Sequence, residues 1–265
     1  MCRVLEVKEG TYYAWRHRGE SARSQFNFHL VASIEQIVAE SNRTYGSRRV
    51  TKKLRNDGIC ANRKRVARLM NDHGIRPFHR KKANTYPKMD YIDGDNILKR
   101  RFRVTLPNSV WASDITNIQT REGWLYLAVT IDLFSRRVVG WAMDRHRHGG
   151  LALEALSAAL KLRKPQSFLH HSDRGTQFTS SDFFSLVTRH GGTCSLSRKG
   201  NCWDNAVVES FFATLKRELF QDKIFATRAE ARAAVFSYIE GWYNRRRLHS
   251  YLGYRSPEAF EQQSA

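Results

Sequence analysis

The chain has 265 residues, with 45 Lys plus Arg against 25 Asp plus Glu, giving a formal net charge of +20 and a pI near 10.2. Its 41% apolar and 12% aromatic content suffices for a buried core, so a disordered basic tail is excluded and one or two domains are expected. No run approaches the ~18 apolar residues of a membrane span. Residues 1–19 are too charged for a secretory leader, so a soluble, cytoplasmic protein with an anionic partner, DNA first, is expected. The cysteines Cys2, Cys60, Cys194 and Cys202 form no CxxC pair, which argues for reduced thiols over a disulfide framework or a zinc site.

Charge is concentrated at the front. Residues 1–105 hold 24 basic and 10 acidic side chains, net +14, while 106–265 hold 21 and 15, net +6. Residues 1–25 read as a helical fragment that continues an upstream element. Over 26–75 the pattern predicts three short helices. Phe28 to Glu40 places Leu30, Ile34, Ile37 and Val38 on one face. Ser47 is positioned to cap Arg48 to Asn56, a helix bearing Arg48 and Arg49, and Gly58 to stop it. Asn62 is positioned to cap a third helix that turns Val66, Leu69 and Met70 inward and Arg63, Lys64, Arg65 and Arg68 outward, ending at Gly74. Three short helices, the last one basic, fit a helix-turn-helix whose cations contact DNA. Residues 76–108 show no period and several basic runs, the composition of a DNA-touching linker.

From Trp111 the pattern changes to strands: Trp111 to Ile118, Trp124 to Ile131 and Arg137 to Met143, joined by short turns as a meander. A helix is predicted over Leu151 to Leu162, a strand over Ser167 to His171, a helix over Ser181 to His190 and a strand over Thr193 to Leu196. A long helix then runs from Asn205 to Phe220. This element order implies an α/β fold, a ribonuclease-H-like mixed sheet flanked by helices over 109–222, preceded by the small all-α helix-turn-helix domain. A helical extension over 223–265 contains the basic end Arg245, Arg246 and Arg247, expected to contact DNA or a partner subunit.

Three acids stand out in this layout. Asp114 lies inside the first strand, Asp173 just after the fourth, and Glu209 one turn into the long helix. Carboxylates among apolar strands are costly unless a cation neutralises them, and an all-oxygen set with no His or Cys favours Mg²⁺ or Mn²⁺. Asp132 reads instead as a turn residue that accepts local N–H groups. His170 and His171 precede Asp173 but alternate across a strand, so they cannot converge with Ser172 as a hydrolase triad; His171 is read either as packing or as bonding near the metals. Asn205 has two readings, a helix N-cap and a DNA-orienting amide. Lys199 lies in a loop, Ser197 to Asp204, that could close over DNA.

The segments Trp111-Ala-Ser-Asp-Ile-Thr116, His171-Ser-Asp-Arg-Gly-Thr-Gln177 and Asp204-Asn-Ala-Val-Val-Glu-Ser-Phe-Phe212 resemble the DDE motif of retroviral integrases and insertion-sequence transposases. The 35 residues between Asp173 and Glu209 match that family's spacing. The likeness is strongest to the second-reading-frame (orfB) transposases of the IS-three group, which carry similar Tyr45-Gly-Ser-Arg-Arg49, Arg198-Lys-Gly-Asn-Cys-Trp-Asp-Asn205 and Tyr243-Asn-Arg-Arg-Arg247 stretches. The resemblance implies catalysis by Asp114, Asp173 and Glu209 with two Mg²⁺ or Mn²⁺ ions, cleavage at element ends and strand transfer. It also implies Lys216 on DNA, a homo-oligomer on terminal inverted repeats, and an upstream orfA product as partner. A non-catalytic DNA-binding regulator and a structure-specific nuclease are the rival readings.

Overall fold

The computed structural model describes residues 2–4, 6–78, 96–198, 202–221 and 223–264, excepting the side chains of 202 and 203. The chain divides into two compact units, Met1–Phe78 and His79–Ala265.

In the first unit, helices α1 (Glu9–Arg16), α2 (Ala22–Glu40), α3 (Ser47–Asn56) and α4 (Arg63–Asp72) follow in order. The predicted apolar positions of α2 to α4 are the buried ones: Leu30, Ile34, Ile37 and Val38 meet Val50, Leu54, Val66, Leu69 and Met70. Helix α2 begins earlier than its apolar period, because the Ser21 hydroxyl accepts the Ser24 N–H at 3.2 Å. Asn62 caps α4 as predicted, accepting from Arg65 N at 2.8 Å. Ser47 does not cap α3; Gly46 holds the cap position and Ser47 is the first helical residue. Helix α1 buries no residue, and its Tyr12 ring packs on Tyr13 and Trp15.

The second unit is built on five strands, β1 (Val110–Thr120), β2 (Gly123–Asp132), β3 (Val138–Asp144), β4 (Phe168–Ser172) and β5 (Gly192–Leu196), ordered β3-β2-β1-β4-β5. The meander β1 to β3 is antiparallel, and β4 and β5 run parallel to β1, the mixed sheet of a ribonuclease-H-like core. One face packs on α5 (Gly149–Arg163) and α6 (Ser181–Arg189) through Trp111, Ile115, Ala128, Leu156 and Phe183. Helix α5 lies so close to β3 that a Cβ on Gly140 would stand 2.2 Å from the Ala155 carbonyl oxygen. The other face packs on α7 (Ala206–Leu215) and α8 (Arg228–Phe236) through Ala112, Ile118, Phe211, Leu215 and Val235.

The long helices differ from expectation in their hydrogen bonding. A 3-10 turn, Cys202–Asn205, leads into α7, which continues as a π-helix over Lys216–Phe220; α8 likewise continues as a π-helix over Ser237–Tyr243. Within the predicted helical extension, helix α9 (Pro257–Ser264) starts at Pro257, and proline is well placed at a first helical position. The span 223–265 is not a separate body. Tyr238, Ile239 and Tyr243 lie in the core, and Asn244 bonds both the N–H and the carbonyl of Val138 at 3.0 Å. Glu261 on α9 accepts from Ser135 at 2.7 Å and Arg137 at 2.9 Å, and pairs with Arg163. The end of the predicted linker is also ordered against this unit, with Asn96 and Leu98 buried. No helix among the described residues is long and apolar enough to cross a membrane.

Candidate active site

Strands β1 and β4 pair at Val110↔Leu169, Trp111↔His170 and Ala112↔His171 and no further, and β4 ends at Ser172. The two strands therefore part where Asp114 and Asp173 sit, at the carboxyl end of β4, which is where open α/β sheets form their crevices. Asp173 starts a tight turn by accepting the Gly175 N–H at 2.9 Å. A Cβ on Gly175 would press on the Asp173 and Gln177 side chains at 2.9 Å, so the turn suits glycine. Helix α7 brings up Glu209, exposed on its early turns.

The electrostatics tie the three together. Burial raises the Asp114 pKa to about 7; the Ile115 N–H opposes this, repulsion from Asp173 and Glu209 adds to it, and Arg147 opposes it. The protein around Glu209 also pushes its carboxyl up. Among the described residues, no three His, Cys, Asp or Glu side chains are drawn close enough to hold an ion. The donor chemistry nevertheless fits a hard divalent cation: three carboxylates within electrostatic reach, short of compensating positive charge, and no thiolate or imidazole among them.

The neighbouring histidines serve the scaffold. His170 bonds the Ser113 hydroxyl at 2.8 Å, and His171 bonds Ser195 at 2.9 Å and Ser197 at 3.1 Å. Burial lowers their pKa values to about 3 and about 4, so both are neutral. Asp132 is the turn acceptor expected, taking the Asn108 and Phe134 N–H groups at 2.9 and 3.0 Å.

Several residues expected on DNA occupy different places. Asn205 is 4% exposed, makes no capping bond, and donates from Nδ2 to the Ser113 carbonyl at 3.0 Å. It therefore holds the N-cap position of α7 without the side-chain capping bond expected of it. Arg247 is 2% exposed, and its guanidinium donates twice to Glu218 at 2.9 Å. It is a core residue, while Arg245 and Arg246 are exposed. On α4, Arg63, Lys64 and Arg68 point to solvent, but Arg65 folds back onto Asn27 at 2.9 Å and over the Phe26 ring. Phe26, Lys64, Arg65 and Arg68, with Ala22, Arg23 and Asn62, line a hollow of about 640 Å³. Arg48 is exposed and Arg49 lies over the Tyr45 ring. Lys216 is half-buried at the start of the π-helix, and Lys199 falls outside the described residues.

Two residues near the site escaped the sequence reading. Asp204, fully buried, gathers Arg198 Nε at 2.9 Å, Arg100 Nε at 2.8 Å and Asn96 Nδ2 at 2.7 Å. Burial pushes its carboxyl up, and the Arg198 and Arg100 bonds outweigh that and hold it far below the usual range. Arg147, in the basic run after β3, acts on Asp114 across a distance in sequence that periodicity does not reveal.

An HTH-like domain family matches residues 25–83, and two integrase core domain families match residues 104–202 and 209–265. Core fold and family together make this chain a DDE-type polynucleotidyl transferase. It is 42% identical over 266 residues to the transposase InsF for insertion sequence IS3A of Escherichia coli K12, covering 98% of this chain and 92% of the relative. It is 42% identical over 252 residues to the transposase for IS904 of Lactococcus lactis, covering 92% and 98%. The chain belongs to the IS3 family of transposases. Similar solved structures include the HTLV-2 integrase catalytic core domain in complex with magnesium, with 20% identity, TM-score 0.45, and coverage of 57% of this chain and 94% of that one. Another is the simian T-cell lymphotropic virus intasome, with 17% identity, TM-score 0.48, and coverage of 84% and 72%.

Proposed function

We propose that Asp114, Asp173 and Glu209 hold two Mg²⁺ or Mn²⁺ ions and that the transposase uses them to cleave DNA at the ends of its element and join the freed 3′-hydroxyl to target DNA. The observation that carries this reading is the placement of Asp114 and Asp173 where β1 and β4 part, with Glu209 on α7 within electrostatic reach of Asp114. Such a cluster of like-charged carboxylates is stabilised once divalent cations arrive. When bound, the ions supply the charge that activates the attacking oxygen and stabilises the leaving one. The chain's own part is to orient. The turn from Asp173 to Gly175 fixes the second carboxylate, α7 presents the third, and Lys216 lies further along the same helical stretch, where a phosphate can meet its ammonium.

The first unit binds DNA through Arg63, Lys64, Arg68 and Arg48, with Arg65 and Arg49 closer to the protein surface, while Lys199, Arg245 and Arg246 add contacts around the catalytic unit. The assembled form is an oligomer on terminal inverted repeats, aided by an upstream orfA product, working in the cytoplasm at the nucleoid. Strand transfer with a labelled element end, run with Mg²⁺ for wild type and Asp173→Asn, tests the catalytic assignment. Products are expected from wild type only. Equal products from both proteins would overturn it, and binding without cleavage under any divalent ion would favour a regulator.

A further inference from the structure

Backbone carbonyls along β1 alternate sides. Ser109 O faces β4, accepting from Leu169 N at 2.8 Å, and alternation turns Ser113 O the same way. The pairing of β1 with β4 stops at Ala112↔His171, one residue before Ser113. That carbonyl belongs to the residue before Asp114. It is met instead by a side chain from the start of α7, Asn205 Nδ2, at 3.0 Å.

Asn205 is fixed from behind. Its neighbour Asp204 is clamped by Arg198 and Arg100, so the turn entering α7 has little freedom. Glu209 follows one helical turn later. The amide thus bridges the two elements that carry the first and third carboxylates. Asn205 stands at the N-cap position without capping, and its Oδ1 is buried with no hydrogen-bond partner among the described residues. A residue kept for stability alone would satisfy both ends of its amide or dispense with it.

We propose that Asn205 is a positioning residue: its bond to Ser113 sets the spacing of Asp114 and Glu209, and the Asp204 clamp holds it there. This rests on the assignment of those carboxylates as metal ligands. Groups that orient ligands from behind govern ion affinity more than fold stability.

The test uses the full chain as wild type, Asn205→Ala, Asn205→Ser and Asp173→Asn. Asn205→Ala removes the donor without introducing a charge; Asn205→Ser keeps a shorter donor and is milder. Mn²⁺ binding is measured by electron paramagnetic resonance, folding by metal-free thermal melts, and cleavage of a labelled DNA end across a Mn²⁺ titration. Both Asn205 variants should melt cooperatively near wild type. They should bind Mn²⁺ about 10- to 100-fold more weakly, with cleavage recovering at higher Mn²⁺. Asp173→Asn should not recover at any concentration. Wild-type Mn²⁺ affinity in the Asn205 variants, or loss of a cooperative melt in both, would overturn the positioning role while leaving the carboxylates in place. Wild-type affinity in Asp173→Asn would overturn the ligand assignment itself, and the positioning role with it.

Discussion

The helical stretch from Ala206 to Phe220 carries a glutamate towards each end, and the surrounding structure treats them in opposite ways. Glu209 lies within electrostatic reach of Asp114, where acid accumulates against acid. Glu218 is buried and saturated, accepting both arms of Arg247 at 2.9 Å and the Tyr238 hydroxyl at 2.9 Å. Burial alone would lower the Arg247 pKa; Glu218 reverses this and holds it above the usual range. The difference separates scaffold from site. A buried charge matched inside the protein fixes a fold, and one left unmatched invites an ion from outside.

Breaking the matched end should have the largest effect. Glu218→Ala strands the Arg247 charge in the core and should cost about 3–5 kcal/mol in denaturant unfolding. Replacing both partners, Glu218→Leu with Arg247→Met, should restore most of it, because what costs is the orphaned ion. At the unmatched end the sign reverses. Without metal, Asp173→Asn removes repulsion and should raise stability by about 1 kcal/mol, as expected for partly solvated charges. If both single variants destabilised the protein equally, the contrast would be lost.

The pH dependence sharpens the same contrast. The folded Asp114 pKa, about 7, lies above its ordinary 3.8, so the folded state holds the proton more tightly than the unfolded one. Stability from this group is present below pH 3.8 and is lost as pH rises towards 7, a loss on the order of 3 kcal/mol after allowance for residual solvent screening. His170 and His171 run the other way: lowered by burial to about 3 and about 4, they contribute stability above their ordinary 6.5 that is lost as pH falls. The difference between wild type and Asp114→Asn cancels the histidines. In metal-free melts, wild type should lose stability relative to the variant between pH 4 and 7, and saturating Mg²⁺ should flatten that difference. A difference that does not vary with pH would remove the case for an unmatched acid.

The sequence made the meander and the crossover helices legible because each is written locally, alternation for strands and an apolar stripe for helices, and the three proposed carboxylates stand out in it as acids among apolar neighbours. What escaped it depends on partners far along the chain. Arg245, Arg246 and Arg247 read alike, and only Glu218 opposite the third decides that it is buried. Asp204 looks like an ordinary polar residue before a helix until Arg198 and Arg100 close on it. Asn205 stands out in the sequence, but its target is a backbone carbonyl, which no residue type reveals. The π-helices were hidden for a related reason, since their wider turns leave the apolar pattern of a helix in place.

The smallest effect separates the cations of the first unit from the arginine in the core. Lys64 is exposed on α4, so Lys64→Ala should leave unfolding unchanged and weaken binding to a duplex of any sequence. Each phosphate contact contributes one unit of counterion release, so the slope of log affinity against log salt should become shallower by about 1. Arg65 is committed in part to Asn27 and Phe26, and its alanine variant should change the slope less than Lys64→Ala while costing some stability. For Glu218→Leu with Arg247→Met the slope should not move, because Arg247 never reaches solvent. Fluorescence anisotropy of a labelled duplex from 50 to 200 mM salt reads all three, and a shallower slope in the core double variant would place Arg247 on DNA after all.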